Sequence, residues 1–237
     1  MTPSMFTVGC ASLGMRGTPW VHDILGGICI AKCEVCLRDL RVLDINSPLR
    51  MALDPAKGSF WPDVLGCGAY PLLLLSDDVV SAWQRDRLGE LPLGRTEIVG
   101  EVPKKLREEK QKAYYWVDGS QMRAARVDFD KAGFVEVEFC KGCGTRSDNI
   151  GKTYDRQHAG SAIYSFLDFT RSDLELFTTD LSPTLFFCKE TVVACAREHK
   201  LTNFRFVPLD WGVSYNGKGL DYMVSASKPR SPDKALH

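Results

Sequence analysis

Two short cysteine motifs, Cys33-Glu34-Val35-Cys36 and Cys140-Lys141-Gly142-Cys143-Gly144, decide how this chain is interpreted. Each motif places two thiols on one tight turn, with two residues between them. Four thiolates from two such turns can bind one tetrahedral zinc ion if the fold brings the turns together. The motifs therefore predict a structural zinc site whose ligands come from distant parts of the chain: Cys33, Cys36, Cys140 and Cys143. The sequence leaves open whether both pairs share one ion.

Glycines favour a metal site at the second motif. A cysteine turn directs backbone N–H groups at the sulfurs and usually needs one residue with positive φ, which suits Gly142 and Gly144. A thioredoxin-like redox pair, the first alternative, needs its motif at the start of a helix that follows a strand. The two glycines disfavour such a helix, and a predicted strand follows Cys36. Buried thiols without a metal are the remaining alternative.

Composition narrows the class of protein. The 237 residues are enough for one large domain or two small ones, and 44% of them are hydrophobic. Because Lys plus Arg and Asp plus Glu each number 30, charge gives no support for a protein that mainly holds nucleic acid. No apolar run could cross a bilayer, so no membrane partner is expected. Nine cysteines, several in apolar contexts, fit reduced thiols in the cytoplasm.

The clearest local unit is a strand, a helix and a second strand. Pro71–Leu75 is predicted to be a buried strand, and Ser76 is a suitable N-cap for a helix over about 77–88. Two aspartates in the first turn suit the helix dipole, and Gly89 can take the left-handed conformation that ends a helix. Thr96–Val99 is the next strand.

A similar unit follows later in the chain. Leu185 lies 113 residues after Leu72, and the same offset places Val192 and Val193 on two valines of the first helix. The second unit is predicted as a strand, a helix and a strand: Thr184–Cys188, Lys189–Lys200 and Phe204–Leu209. We therefore predict an α+β fold, with mixed sheets built from two related strand-helix-strand units and a zinc-ribbon-like element of four cysteines. The alternative is coincidence between two common patterns.

The two units divide the chain into two halves, which are followed by a short tail. Residues 1–101 and 102–225 each hold one cysteine pair and one unit, and the two halves could pack as one domain, while 226–237 is predicted to be a disordered tail. Residues 44–68 look irregular, and 104–112 is interpreted as a solvated connector. Further strands are predicted at four places: Leu40–Leu43, Tyr114–Val117, Ala125–Phe129 and Val135–Phe139.

Catalytic signals are weak. The chain has no Gly-x-Ser-x-Gly elbow, phosphate-binding glycine loop or His-Glu-x-x-His helix. His199 is predicted to face solvent on the charged side of its helix. His158 lies in a polar loop near Tyr154 and is the candidate to test as a general base. A hydrolase is therefore one functional hypothesis, beside the two given below.

The cysteine layout resembles the myxobacterial double-CXXCG motif family. The resemblance extends to the ending from Leu185-Phe186-Phe187-Cys188 through a helix to Phe204-Arg205-Phe206-Val207-Pro208-Leu209. It implies a non-enzymatic immunity protein that neutralises a cognate bacterial toxin, with the four cysteines as ligands and no catalytic residue. Leu37 stands where the family's first motif has glycine.

Two functions from different classes are thus expected from the sequence. The first is a zinc-stabilised immunity protein, and its candidate toxin-binding surfaces are the acidic Asp77–Asp78 helix start and the Asp168–Asp180 stretch. The second is a zinc-ribbon nucleic-acid-binding or regulatory protein, which would need a basic face. The identity of the toxin and the oligomeric state do not follow from the sequence.

Overall fold

The computed structural model describes residues 5–10, 18–37, 39–43, 47–67, 72–128, 139–144, 167–179, 184–208 and 222–223. These residues form strands and two α-helices, which confirms the α+β class. No helix among them is both long enough and apolar enough to cross a membrane.

Six strands close into a barrel in the order β2-β5-β8-β9-β7-β6. Their bounds are β2 Trp20–Gly26, β5 Leu49–Leu53, β6 Val64–Cys67, β7 Leu74–Ser76, β8 Leu93–Val99 and β9 Tyr114–Val117. Neighbours are antiparallel except for the β2–β6 and β5–β8 pairs. Closure leaves no free edge in this sheet.

Seven strands form a second sheet in the order β11-β10-β12-β13-β1-β14-β15. Their bounds are β1 Met5–Cys10, β10 Arg123–Val127, β11 Leu167–Phe169, β12 Leu176–Thr179, β13 Phe186–Lys189, β14 Phe204–Pro208 and β15 Tyr222–Met223. The first strand of the chain is antiparallel to both β13 and β14 and lies between them.

Two strands form a separate hairpin that carries the first cysteine motif. β3 (Ile28–Lys32) pairs with β4 (Asp39–Leu43), and Lys32 faces Asp39 in the register. The turn between them contains Cys33 and Cys36. The hairpin therefore fixes where the first pair of thiols lies.

The two helices are α1 (Asp77–Arg85) and α2 (Glu190–Glu198). The predicted Ser76 cap is confirmed, because its side chain accepts a hydrogen bond from the Val79 N–H at 3.4 Å. Both helices end earlier than predicted. Arg87 and Lys200 adopt the left-handed conformation, with φ of 56° and 54°, so α1 ends before Gly89 is reached.

The two helices have matching local structure. Each is nine residues long, and α2 begins and ends 113 residues after α1. Leu88 N–H bonds to the Trp83 carbonyl at 3.2 Å, and Leu201 N–H bonds to the Ala196 carbonyl at 2.9 Å, at the same offset. In both cases the strands before and after the helix lie parallel, with one antiparallel strand between them: β9 in one sheet and β1 in the other.

Successive side chains of a barrel strand point to opposite faces, and the outward-facing ones pack against the second sheet. On β7, Leu74 packs into the barrel interior with Trp116, whereas Leu75 packs into a second core with both helices. That second core also contains Phe6 of β1 and Phe206 of β14. The barrel and the open sheet therefore share one hydrophobic layer, into which each helix packs one face.

Each sheet contains a strand from the other side of the predicted division at residue 101. β1 belongs to the sheet formed by the second half, and β9 completes the barrel formed by the first half. The three-segment division stays a prediction, and the 226–237 tail lies outside the described residues. So does nearly all of the predicted strand Val135–Phe139.

The interpretation of residues 44–68 as irregular was wrong, because β5 and β6 lie there. Leu49, Met51 and Leu53 are buried and alternate with less buried residues, as in a strand with one face on the core. The short strands and the prolines and glycines around them obscured this pattern in the sequence.

Asp63 is a buried junction between the two sheets. Its side chain is 6% exposed, and it accepts hydrogen bonds from the Ser76 hydroxyl at 2.9 Å and from Lys112 Nζ at 2.6 Å. Its second oxygen accepts from the backbone N–H and the hydroxyl of Thr202, at 2.6 and 2.8 Å. One carboxylate thus connects the start of α1 to the segment that follows α2.

Replacing Asp63 by asparagine is expected to destabilise the protein by about 3 kcal/mol, because the amide nitrogen cannot accept from any of these donors and Lys112 loses a buried partner. Urea unfolding measures the change. Asp173→Asn is the matched control: Asp173 pairs with Arg171 at the surface, with its side chain 64% exposed, and this change should leave the midpoint unaltered. Equal effects of the two changes would contradict the assigned role of Asp63.

Candidate metal centre

The four predicted cysteines converge on one place. Cys33 Sγ lies 3.6 Å from Cys140 Sγ, and Cys36 Sγ lies 3.7 Å from Cys143 Sγ. All four sulfurs lie within 4.8 Å of one another. The two motifs therefore form a single cluster that could hold a metal ion.

The spacing of the sulfurs fits zinc. With a Zn–S distance near 2.3 Å, the sulfurs of a regular tetrahedron are about 3.8 Å apart. The Cys33–Cys140 and Cys36–Cys143 sulfur distances, 3.6 and 3.7 Å, are close to that value, and no separation within the cluster exceeds 4.8 Å. A set of four thiols also matches the softness of Zn²⁺ and leaves no coordination position for another ligand.

The two cysteine turns have the same backbone geometry. The Leu37 N–H bonds to the Cys33 carbonyl at 2.9 Å, and the Gly144 N–H bonds to the Cys140 carbonyl at 2.8 Å. Leu37 and Gly144 have φ values of 58° and 66°. Leucine therefore adopts, in the first turn, the left-handed conformation that glycine supplies in the second. The sequence difference at Leu37 does not change the shape of the turn.

The turns also pack directly on each other. A Cβ atom on Gly142 would lie 2.7 Å from Val35 Cγ2 and 3.1 Å from Cys33 Sγ, so a larger residue there would displace the exposed Val35 side chain. Cys33 is 5% exposed, whereas Cys36 lies at the surface. One side of the cluster is thus closed by protein and the other faces solvent.

Backbone N–H groups favour the thiolate form at the second turn. The N–H of Cys143 and then that of Gly142 lower the pKa of Cys140 below the usual value for a thiol. Gly142 N lies 3.4 Å from Cys140 Sγ. This arrangement stabilises negative charge on a sulfur, as metal coordination requires.

The predicted histidines have different outcomes. His158 and Tyr154 lie outside the described residues, so the hydrolase hypothesis stays a prediction. His22 is exposed. The prediction for His199 was wrong: its side chain is 14% exposed, and Nε2 lies 2.9 Å from Asp86 Oδ1. The 113-residue offset makes these two positions equivalent in the two units, but equivalence in sequence does not indicate contact, so the pair was missed.

The predicted acidic surfaces are partly neutralised. Asp78 lies 2.8 Å from Lys112 Nζ, and Glu175 lies 3.0 Å from Lys189 Nζ. Asp173 pairs with a neighbouring arginine, and Asp180 lies outside the described residues. These charges therefore create a weaker negative field than the sequence indicated.

No family model matches this sequence, and no curated protein matches it. The description of the site therefore rests on its geometry.

Changing Cys36 to serine is expected to remove the metal from the four-cysteine cluster and to lower stability, because a hydroxyl does not replace a thiolate ligand. Cys143→Ser should remove the same ion, since both sulfurs belong to one cluster. Metal content per chain and urea unfolding check both outcomes. Cys67→Ser, at a half-buried cysteine outside the cluster, is the control and should retain the ion. Independent loss of two different ions from the two turns would contradict a shared site.

Leu37→Gly is expected to raise the free energy of unfolding by about 1 kcal/mol, because glycine adopts positive φ without the steric cost that leucine incurs. The Leu37 side chain is exposed, so little packing is lost. Gly144→Leu is the reciprocal change and should lower stability by about the same amount, because an added Cβ there meets no atom within 4 Å and only the backbone is strained. Urea unfolding of the metal-loaded proteins measures both changes, and shifts of the same sign would contradict the assignment.

Proposed function

We propose that this protein is a non-enzymatic immunity protein, stabilised by a structural zinc ion, that binds and neutralises a cognate bacterial toxin. The observation that carries the proposal is the convergence of Cys33, Cys36, Cys140 and Cys143 in two turns of equal geometry. This is the arrangement that a double-CXXCG protein needs, and it supports the family resemblance from which the immunity role follows.

A structural role for the ion follows from its ligand set. Four protein thiolates complete a tetrahedron, whereas catalytic zinc sites keep one position for water or substrate. The ion would connect the β3–β4 hairpin to the segment around residues 139–144 and so constrain a long loop of the chain. Reduced thiols of this kind suit the cytoplasm.

A duplicated scaffold would suit a binding protein. We propose that the two strand-helix-strand units arose from one ancestral unit, a view supported by the equal helix lengths and the matching helix ends. Both helices pack into one core, which gives a rigid framework. Rigid surfaces bind with a lower loss of conformational entropy than mobile ones.

We expect the protein to recognise the toxin through the shape of its surface more than through acidic charge. Asp78, Asp173 and Glu175 already have cationic partners, so an acidic patch is not the main support for the proposal. Charge would instead tune association rate and choice of partner.

Co-expression with the product of the adjacent gene tests the proposal. We expect a tight one-to-one complex on size-exclusion chromatography, and protection of cells that express that product. Leu37→Gly should retain protection, because it preserves the cluster, and Cys36→Ser should weaken protection, because loss of the ion lowers stability. A folded, zinc-loaded protein that neither binds nor protects would contradict the immunity role. Salt-dependent binding to DNA or RNA would instead support the zinc-ribbon alternative.

A further inference from the structure

A second group of metal-ligating side chains lies between the ends of the two helices. Asp86, Cys195 and His199 place one ligand atom each within 4.8 Å of the others. Asp86 and His199 are the C-cap residues of α1 and α2, and Cys195 lies on the last turn of α2. None of these residues belongs to the four-cysteine cluster.

The local field at this place favours a cation. The C-terminal end of a helix carries partial negative charge on carbonyl groups that lack helical partners. Here two such ends approach each other, since their cap residues Asp86 and His199 are in contact. Asp86 adds a full negative charge, because hydrogen bonds from His199 and then from Cys195 hold its pKa below the usual value for a carboxyl.

The three side chains are held in place by packing. Cys195 is 4% exposed, and the side chains of Asp86 and His199 are 23% and 14% exposed. Asp86 is the hydrogen-bond partner of both other groups. A tetrahedral ion would separate a nitrogen and an oxygen ligand by about 3.4 Å, so the 2.9 Å pair has to open by about half an ångström.

We propose that Asp86, Cys195 and His199 bind one divalent cation of the zinc class, separate from the ion of the four-cysteine cluster. Carboxylate, thiolate and imidazole together select Zn²⁺ over Mg²⁺ or Ca²⁺. The side chains of Asp86 and His199 are partly exposed, so solvent would supply water as the fourth ligand. The inference does not rest on the proposed function.

Binding exchanges protons for the ion. Burial, followed by the hydrogen bond with Asp86, raises the pKa of Cys195 to about 12, so the free site holds a thiol. The ion takes the place of that thiol proton, which is released to solvent. The proton that His199 Nε2 donates to Asp86 moves to Nδ1 as Nε2 binds the ion. Arg85 is the competing cation, since its guanidinium lies 3.4 Å from His199 Nδ1. Its exposed side chain has to move away when Nε2 binds a metal.

Metal stoichiometry of the full-length protein tests the inference. Purified protein is stripped by a competing chromogenic chelator and titrated with Zn²⁺ alone, and uptake is expressed per chain. The wild type is expected to bind two ions, and His199→Ala and Cys195→Ala are each expected to bind one. His22→Ala is the matched histidine control and should bind two, and Arg85→Ala should bind the second ion more tightly. Circular dichroism checks that each variant is folded. If His199→Ala or Cys195→Ala does not fold, Asp86→Asn is tested in its place.

Co²⁺ substitution provides an independent measurement. Thiolate-to-cobalt absorption reports the number of bound sulfurs, so Cys195→Ala should lose about one fifth of the signal of the doubly loaded protein. A wild type that binds a single ion, with its absorption unchanged by Cys195→Ala, would overturn the inference. Asp86 and His199 would then be only an ion pair that connects the two helices.

Discussion

The convergence of four thiols is the contact that holds the β3–β4 hairpin against the segment around residues 139–144. The β3–β4 hairpin has its own register but contributes no strand to the barrel or to the open sheet. Its turn is held against a distant segment through the contact of Val35 with Gly142 and through the clustered sulfurs. A metal at this position supplies directional bonds where little apolar surface is buried, because Val35 and Leu37 remain largely exposed.

Much of the fold was predictable where local chemistry and packing agree. The two helices, the Ser76 cap and the strand Tyr114–Val117 were found from periodicity and composition, because their apolar faces match the buried faces in the structure. Each cysteine pair was found because zinc ligand spacing is a local property of the sequence, whereas the convergence of the two pairs depends on the fold. Identifying a pair is a separate step from placing it, and needs no knowledge of the sheets.

Other features depend on contacts that are distant in the sequence. Nothing local in Trp20–Gly26 or Val64–Cys67 indicates a barrel, because closure depends on pairings between β2, β5 and β6. His199 has charged neighbours along the chain and so was predicted to be solvent-exposed, yet its partner Asp86 comes from the other helix. The left-handed backbone conformation of Leu37 could not be predicted from the residue type, because the turn imposes it and leucine does not prefer it.

The position of β1 has a consequence for biosynthesis. This strand is made before every other described strand, but both strands that flank it, β13 and β14, are made only when residues 186–208 leave the ribosome. Until then the two edges of the strand have no native partners, although Phe6 and Val8 share a core with residues made earlier, such as Val64 and Leu75. All six barrel strands are therefore made before the open sheet can be completed, and the edges of β1 stay available to chaperones and to aggregation until β13 and β14 are made.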